Sequence, residues 1–219
     1  MPLSYPLPTS EFIAALPIAS VEFDCPEALE MSRTDGGEII TGSLGTRLWQ
    51  GEVTLGRLTR DEARDAQTLI NVARGSGASF FMHHTSQAFP KADPGGTLLG
   101  VATPSIASLP TDSRLISLKD LPAGYVLSRG DYLAFAYCSS PERYGLHTVV
   151  DASVVASGSG STAAFQVQPN LRPGAAVNAV VTLVRPVCKA VIIPGSVSPG
   201  RQNRFLTEGI SFQFIQTLR

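Results

Sequence analysis

The chain has 219 residues, of which 43% are hydrophobic and 16% charged, and its formal net charge is −1. That is too apolar for a disordered chain and long enough for one large or two small domains. With almost no net charge there is no whole-protein field to gather a nucleic-acid polymer, and no specific nucleic acid is expected as a partner.

So little charge, together with 20 Gly and 16 Pro, reads as a subunit that buries surface in an assembly, because a freely diffusing protein keeps more charge for solubility. The cysteines Cys25, Cys138 and Cys188 are far apart and odd in number. Without a CxxC or Cys/His cluster they outline neither a disulfide framework nor a zinc site, and reduced, buried thiols are expected. The opening residues lack a basic segment followed by an apolar core, and no run approaches the roughly 18 apolar residues of a membrane span. The expectation is a protein made and kept in a cytoplasm, or built into something assembled there, with no membrane partner.

In chain order, residues 1–17 carry Pro2, Pro6, Pro8 and Pro17 and read as an extended arm, since proline withholds the backbone donor a central strand needs. Such an arm is expected to lie across a neighbouring subunit. Strands follow over 18–23, 38–40 and 46–55, the last two joined through the glycines at 42–45. In 47–55 the side chains alternate, which marks a half-buried strand, and Trp49 is placed in the core. The spacing predicts one clear helix over 60–74. Thr59 and Glu62 form a capping box, Asp61 and Glu62 suit the helix dipole, and Ala63, Ala66, Leu69, Ile70 and Ala73 make a narrow apolar stripe. Gly75 is expected to end the helix in the left-handed conformation.

A strand over 78–83 leads into the loop SQAFPKADPGG. From 101 to 185 the texture changes to short strands at 115–118, 125–127, 132–137, 146–150, 164–167 and 177–183, separated by turns, which fits a small barrel or sandwich. Strands return at 191–193 and 210–218. The alternation in SFQFIQTL predicts that this last strand pairs with the first domain. The expected organisation is therefore an arm at 1–17, a first β-domain made of 18–100 and 187–219, and an inserted small β-domain at 101–186.

No catalytic, cofactor-binding or metal-binding residue is assigned, and no cofactor is expected. His83 and His84 are adjacent, so regular β structure points them to opposite faces and away from a shared metal. Cys138 and His147 as nucleophile and base lack a nucleophile turn around Cys138. The glycine cluster at 75–78 follows a helix and does not open one as a phosphate cradle must, GGTLLG at 95–100 lacks the following Lys and Ser/Thr of a P-loop, and SGSGS at 157–161 reads as a flexible turn between strands. Asp93, Asp112 and Asp131 lack calcium-loop spacing. The Arg129-Gly130-Asp131 triplet reads as a turn into Tyr132.

The order of the motifs resembles the distal tail proteins and related minor tail proteins of siphophages and prophages. The carrying residues are WQGEVTL at 49–55, TRDEA at 59–63, Arg74-Gly75, Phe80-Phe81, DPGG at 93–96, Leu99-Gly100, LSRGDY at 127–132, LHTV at 146–149 and QPNLRP at 168–173. The likeness touches most of 45–186. It implies a mainly β fold: a tail-tube-like β-sandwich with one flanking α-helix plus an inserted small β-barrel-like domain. It further implies a structural virion protein with no catalytic residues. Six copies would close a homo-hexameric ring at the tail tip, joining the tail tube protein to the tail hub protein and the receptor-binding or fibre proteins. The implied location is the virion, after synthesis in the bacterial host cytoplasm. The rival reading is a glycan-binding β-module, with Tyr125, Tyr132, Tyr137 and Tyr144 stacking on sugars. Several tyrosines on one open face would favour it.

Overall fold

The computed structural model describes residues 4–219. In chain order its elements begin with β1 (Ile18–Val21), β2 (Leu29–Arg33), β3 (Ile39–Ser43), β4 (Gln50–Leu55), helix α1 (Arg60–Ala73), β5 (Phe80–Met82), β6 (Ser105–Ser108) and β7 (Leu115–Lys119). They continue with β8 (Val126–Ser128), β9 (Tyr132–Tyr137), β10 (Arg143–Val149), β11 (Ser153–Val155), β12 (Phe165–Gln168), β13 (Val181–Thr182), β14 (Cys188–Ile192), β15 (Ser198–Gln202) and β16 (Thr207–Gln216). The fold is mainly β with one helix, and its sheets form a half-barrel and a nearly closed barrel.

The half-barrel has the order β1-β4-β16-β14-β5, with β15 also paired to β16. Strands from both ends of the chain thus share one sheet. The terminal strand β16 keeps the period of two seen in its sequence: Ile210, Phe212 and Phe214 are buried while Gln213 is exposed. Its ten residues lie against β4 on one side and β14 and β15 on the other. Gly51 in β4 is required sterically, because a Cβ there would lie 1.8 Å from the Glu22 carbonyl oxygen.

The barrel has the order β13-β9-β10-β12-β7-β6. It is drawn towards closure where Ile106 N–H donates to Ala179 O (3.0 Å) and Asn178 N–H to Ile106 O (2.9 Å). The small β8–β11 sheet adds Leu127 and Val154 to the barrel core.

Helix α1 packs Ala63, Ala66, Ile70 and Ala73 into the half-barrel core. Small side chains let it sit close to the sheet. Its start is fixed reciprocally: Thr59 N–H donates to the Glu62 carboxylate (2.9 Å), and Glu62 N–H donates to Thr59 Oγ1 (3.5 Å). Hydrogen bonds from the Thr59 backbone and then its hydroxyl hold the Glu62 carboxyl below its ordinary pKa.

Four expectations are corrected. The segment expected as an arm across a neighbour is, over its described residues, folded onto its own chain. Leu7 bridges Phe80 along the outer edge of β5, and Leu7, Phe12, Ile13 and Leu16 are buried in the half-barrel core. Proline excluded a central strand, yet it left room for a 3-10 turn at Ile13–Ala15 that turns these apolar side chains inward. Strand β3 pairs with β2, not with β4, because the tight turn falls at Gly36-Gly37 (Gly37 φ +82°) and not at 42–45. The helix ends without a left-handed Gly75: Gly75 N–H bonds Val72 O (3.3 Å), and Gly77 takes the positive φ. Of the strand expected over 177–183 only β13 forms, since Asn178 has φ +68°.

Replacing Thr59 by Ala removes the side-chain half of the reciprocal cap, leaving the backbone N–H of residue 59 in place, and is expected to cost about 1 kcal/mol. Thermal melting of the purified protein checks this; an unchanged midpoint would mean that the Thr59–Glu62 pair does not stabilise the helix start.

Candidate functional site

The residues singled out for chemistry lie apart. His147 pairs in register with Leu133, and Cys138 lies five residues further along, just past the end of β9. At about 3.3 Å per residue that places the two about 16 Å apart. His147 is buried inside the barrel wall, stacked on Phe135 at 5.4 Å. Its Nδ1 lies 2.6 Å from Pro169 O, which can only accept, so Nδ1 carries the proton. Burial drives its pKa down to about 4 against the pull of that hydrogen bond.

His83 and His84 point apart. His83 lies among Thr9, Phe89 and Arg185, its Nδ1 buried without a partner, and burial lowers its pKa. His84 packs on Phe23 and Tyr132, and burial lowers its pKa too. Burial raises Cys25 to about 11 and Cys188 to about 12, so neither is a thiolate at neutral pH. Among the described residues no three of His, Cys, Asp and Glu gather as a metal would need. Among the described residues no helix is long and apolar enough to cross a membrane.

The aspartates are structural. The buried Asp131 carboxylate accepts from Lys91 N–H (2.9 Å) and Ser128 N–H (2.7 Å), which turns the aspartate of the RGD triplet inward while Arg129 stays exposed. Asp93 accepts from Leu98 and Leu99 N–H, with the Tyr125 hydroxyl at 3.4 Å. Burial pushes the Asp93 pKa up, but the amides of Leu99, Leu98 and Thr97 and the Tyr125 hydroxyl outweigh it and hold the group below the usual range. Asp112 pairs with exposed Arg114 at 2.8 Å, and the Arg114 hydrogen bonds lower it to about 2.

The tyrosines do not share an open face. Tyr125 and Tyr137 are buried in the barrel core. Tyr132 packs on Phe23 and Trp49, and Tyr144 lies edge-on to Phe81 at 4.8 Å. A cavity of about 600 Å³ does open between the barrel and the base of the β2–β3 hairpin, lined by Arg47, Gln166, Gln168, Asn170 and Arg172. No aromatic ring lines it, so it has no platform for stacking a sugar.

Among the described residues the β2–β3 hairpin has no further strand paired to it. It forms a two-stranded sheet of its own, and all ten of its strand residues are exposed. The register sets Leu29, Met31 and Arg33 opposite Ser43, Thr41 and Ile39. Opposed residues share a face, so Leu29, Met31 and Ile39 form an apolar stripe, and they are 48%, 63% and 51% exposed. An isolated hairpin is marginal in water, and this one also leaves both outer strand edges open. A second apolar point, Phe205 at 74% exposure, stands in the turn between β15 and β16. Leu29 and Met31 fall outside every strand expected from the sequence; only the pairing register reveals that they and Ile39 face outward together.

No family profile matches the chain, and no curated protein matches it.

The depressed histidine gives a pH dependence. Unfolded, His147 takes its proton near pH 6.5, but folded only near 4. As pH falls through this window the unfolded chain binds a proton that the folded chain refuses. The His147 contribution to stability is therefore constant above 6.5 and falls by about 3 kcal/mol on the way down to 4. Melting curves between pH 4 and 7 should show this loss, and His147→Gln should have a shallower slope by about one proton. An identical slope in the variant would place the dependence elsewhere.

Proposed function

We propose that this chain is a structural subunit that self-assembles into a ring through its projecting β2–β3 hairpin, and that the ring sits at the tail tip of a long-tailed bacteriophage. There it joins the tail tube to the hub and the receptor-binding apparatus. The observation that carries the self-assembly reading is the uncovered apolar stripe of Leu29, Met31 and Ile39 on a hairpin with two open edges. Burying side chains of this size is worth about 2 kcal/mol each, so a neighbour that covers the stripe supplies a substantial driving force for association. A closed ring is the way identical subunits bury such edges without growing into fibres. The sixfold count, the tail and its protein partners rest on the motif resemblance over 45–186 alone.

Catalysis has no part in this reading. Cys138 and His147 lie apart, and the buried histidines and aspartates bond to backbone groups or pack on rings. The tyrosines, turned into the barrel core and the contact between the two sheets, lend no support to a glycan-binding module.

The expected result is that the purified protein forms a closed oligomer whose mass, by sedimentation or native mass measurement, fits a small ring. Met31→Asp combined with Ile39→Asp should yield monomers. Both residues are exposed in the subunit, so the melting point of the monomer should move little. A wild-type chain that stays monomeric at all concentrations would refute the proposal.

A further inference from the structure

The groove between the N-terminal half of α1 and the β15–β16 hairpin is lined by cationic and neutral polar side chains. It encloses about 440 Å³, and its lining includes Arg60, Arg64, Gln67 and Thr207 but no Asp or Glu. Arg60, Arg64 and Gln67 recur at helical spacing, so they share one face of α1. Among the described residues Arg60 makes no ion pair, and Arg64 has only a 3.8 Å contact with the exposed Asp61. Thr207 is buried and its hydroxyl has no hydrogen-bond partner. Gln67 spends its amide N–H on Pro199 O at 3.0 Å. The groove thus offers two guanidinium groups that lack a full counter-charge.

The complementary charge lies on the same chain at the other end of the sheet. The β2–β3 tip carries Asp35 and Glu38 on either side of Gly36-Gly37, all of them exposed. Neither carboxylate has an ion-pair partner among the described residues. The hairpin leaves the half-barrel where Asp24 bridges Gln50, at the start of β4. The groove lies past the end of β4, where Leu58 bridges Thr207. Strand β4, six residues long, runs from the first point towards the second and by itself spans about 20 Å at the usual rise. A knob at one end and a socket at the other define a head-to-tail contact, the kind that closes into a ring when its rotation permits.

We infer that the acidic tip of one copy's β2–β3 hairpin, Asp35 and Glu38, docks in the Arg60–Arg64 groove of the next copy. This rests on the self-assembly proposed above and assigns its polar anchor. The apolar stripe supplies the bulk of the buried area, and the paired charges fix the register between copies.

The test measures self-association of the full chain by sedimentation for four proteins, each checked for folding by its melting curve. They are the wild type, Asp35→Lys with Glu38→Lys, Arg60→Glu with Arg64→Glu, and the chain carrying all four changes. All four positions are exposed, so the subunit fold should survive. Each double variant should weaken association at least about tenfold, and the four-fold variant, with the charges exchanged, should return to within about threefold of wild type. Association that is unchanged in the double variants would overturn the docking while leaving self-assembly standing. Weakening without restoration would overturn it as well, because the charges would then face other partners. A monomeric wild type would remove the assembly reading and this contact together.

Discussion

The structure turns on one strand edge. Strand β10 pairs with β9 along its length, but β12 covers only Thr148 and Val149, so the outer edge of residues 143–147 is open within the barrel. The half-barrel supplies the missing donors from side chains. The Trp49 indole N–H donates to Leu146 O at 2.7 Å, and the Gln216 amide N–H donates to Tyr144 O at 3.0 Å. Gln216 is itself held by Trp49, through Gln216 N–H to Trp49 O (2.7 Å) and Trp49 N–H to Gln216 Oε1 (3.3 Å). Buried backbone carbonyls must find donors, and these two find them across the contact between the sheets.

That contact explains why β9 reads as the unbroken apolar run YLAFAY. Leu133, Phe135 and Tyr137 fill the barrel, while Tyr132 and Ala134 belong to the half-barrel core. On β10, Leu146 faces the half-barrel, and His147 stacks on Phe135. A ribbon with both faces buried has no polar side to alternate with. The same packing makes His147 neutral and structural, because a charge there would have almost no water to solvate it. Trp49, Leu146 and Gln216 lie in three distant parts of the sequence, so the joint forms only when the chain folds as a whole.

Much of this was legible where local rules govern. The helix start followed from the Thr59–Glu62 spacing, and the period of two in SFQFIQTL located a half-buried terminal strand whose partners are β4, β14 and β15. Where long-range packing decides, the sequence was silent. The period of two places Gln216 on the face of Phe212 and Phe214 and Gln213 on the other, but nothing local shows that Gln216 finds buried polar partners in Trp49 and Tyr144. Prolines at the start concealed Phe12 and Ile13, which the 3-10 turn delivers to the core. The candidate site was hidden for a related reason. Apolar residues such as Leu29, Met31 and Ile39 normally mark an interior, and here, among the described residues, β2 and β3 have no third strand paired to them. In the proposed ring the neighbouring copy covers them, so the interior they mark belongs to the assembly and not to the subunit.

Hydrogen–deuterium exchange of the β2–β3 amides, followed as the protein is concentrated, tests this most directly. In the free subunit the hairpin is an exposed two-stranded ribbon, and its amides should exchange orders of magnitude faster than those of β4 and β16. The account predicts that protection of residues 29–43 appears in step with oligomer formation, while α1 and the barrel strands change little. Fast exchange of the hairpin within a formed oligomer, or strong protection of it in a monomer, would contradict the account.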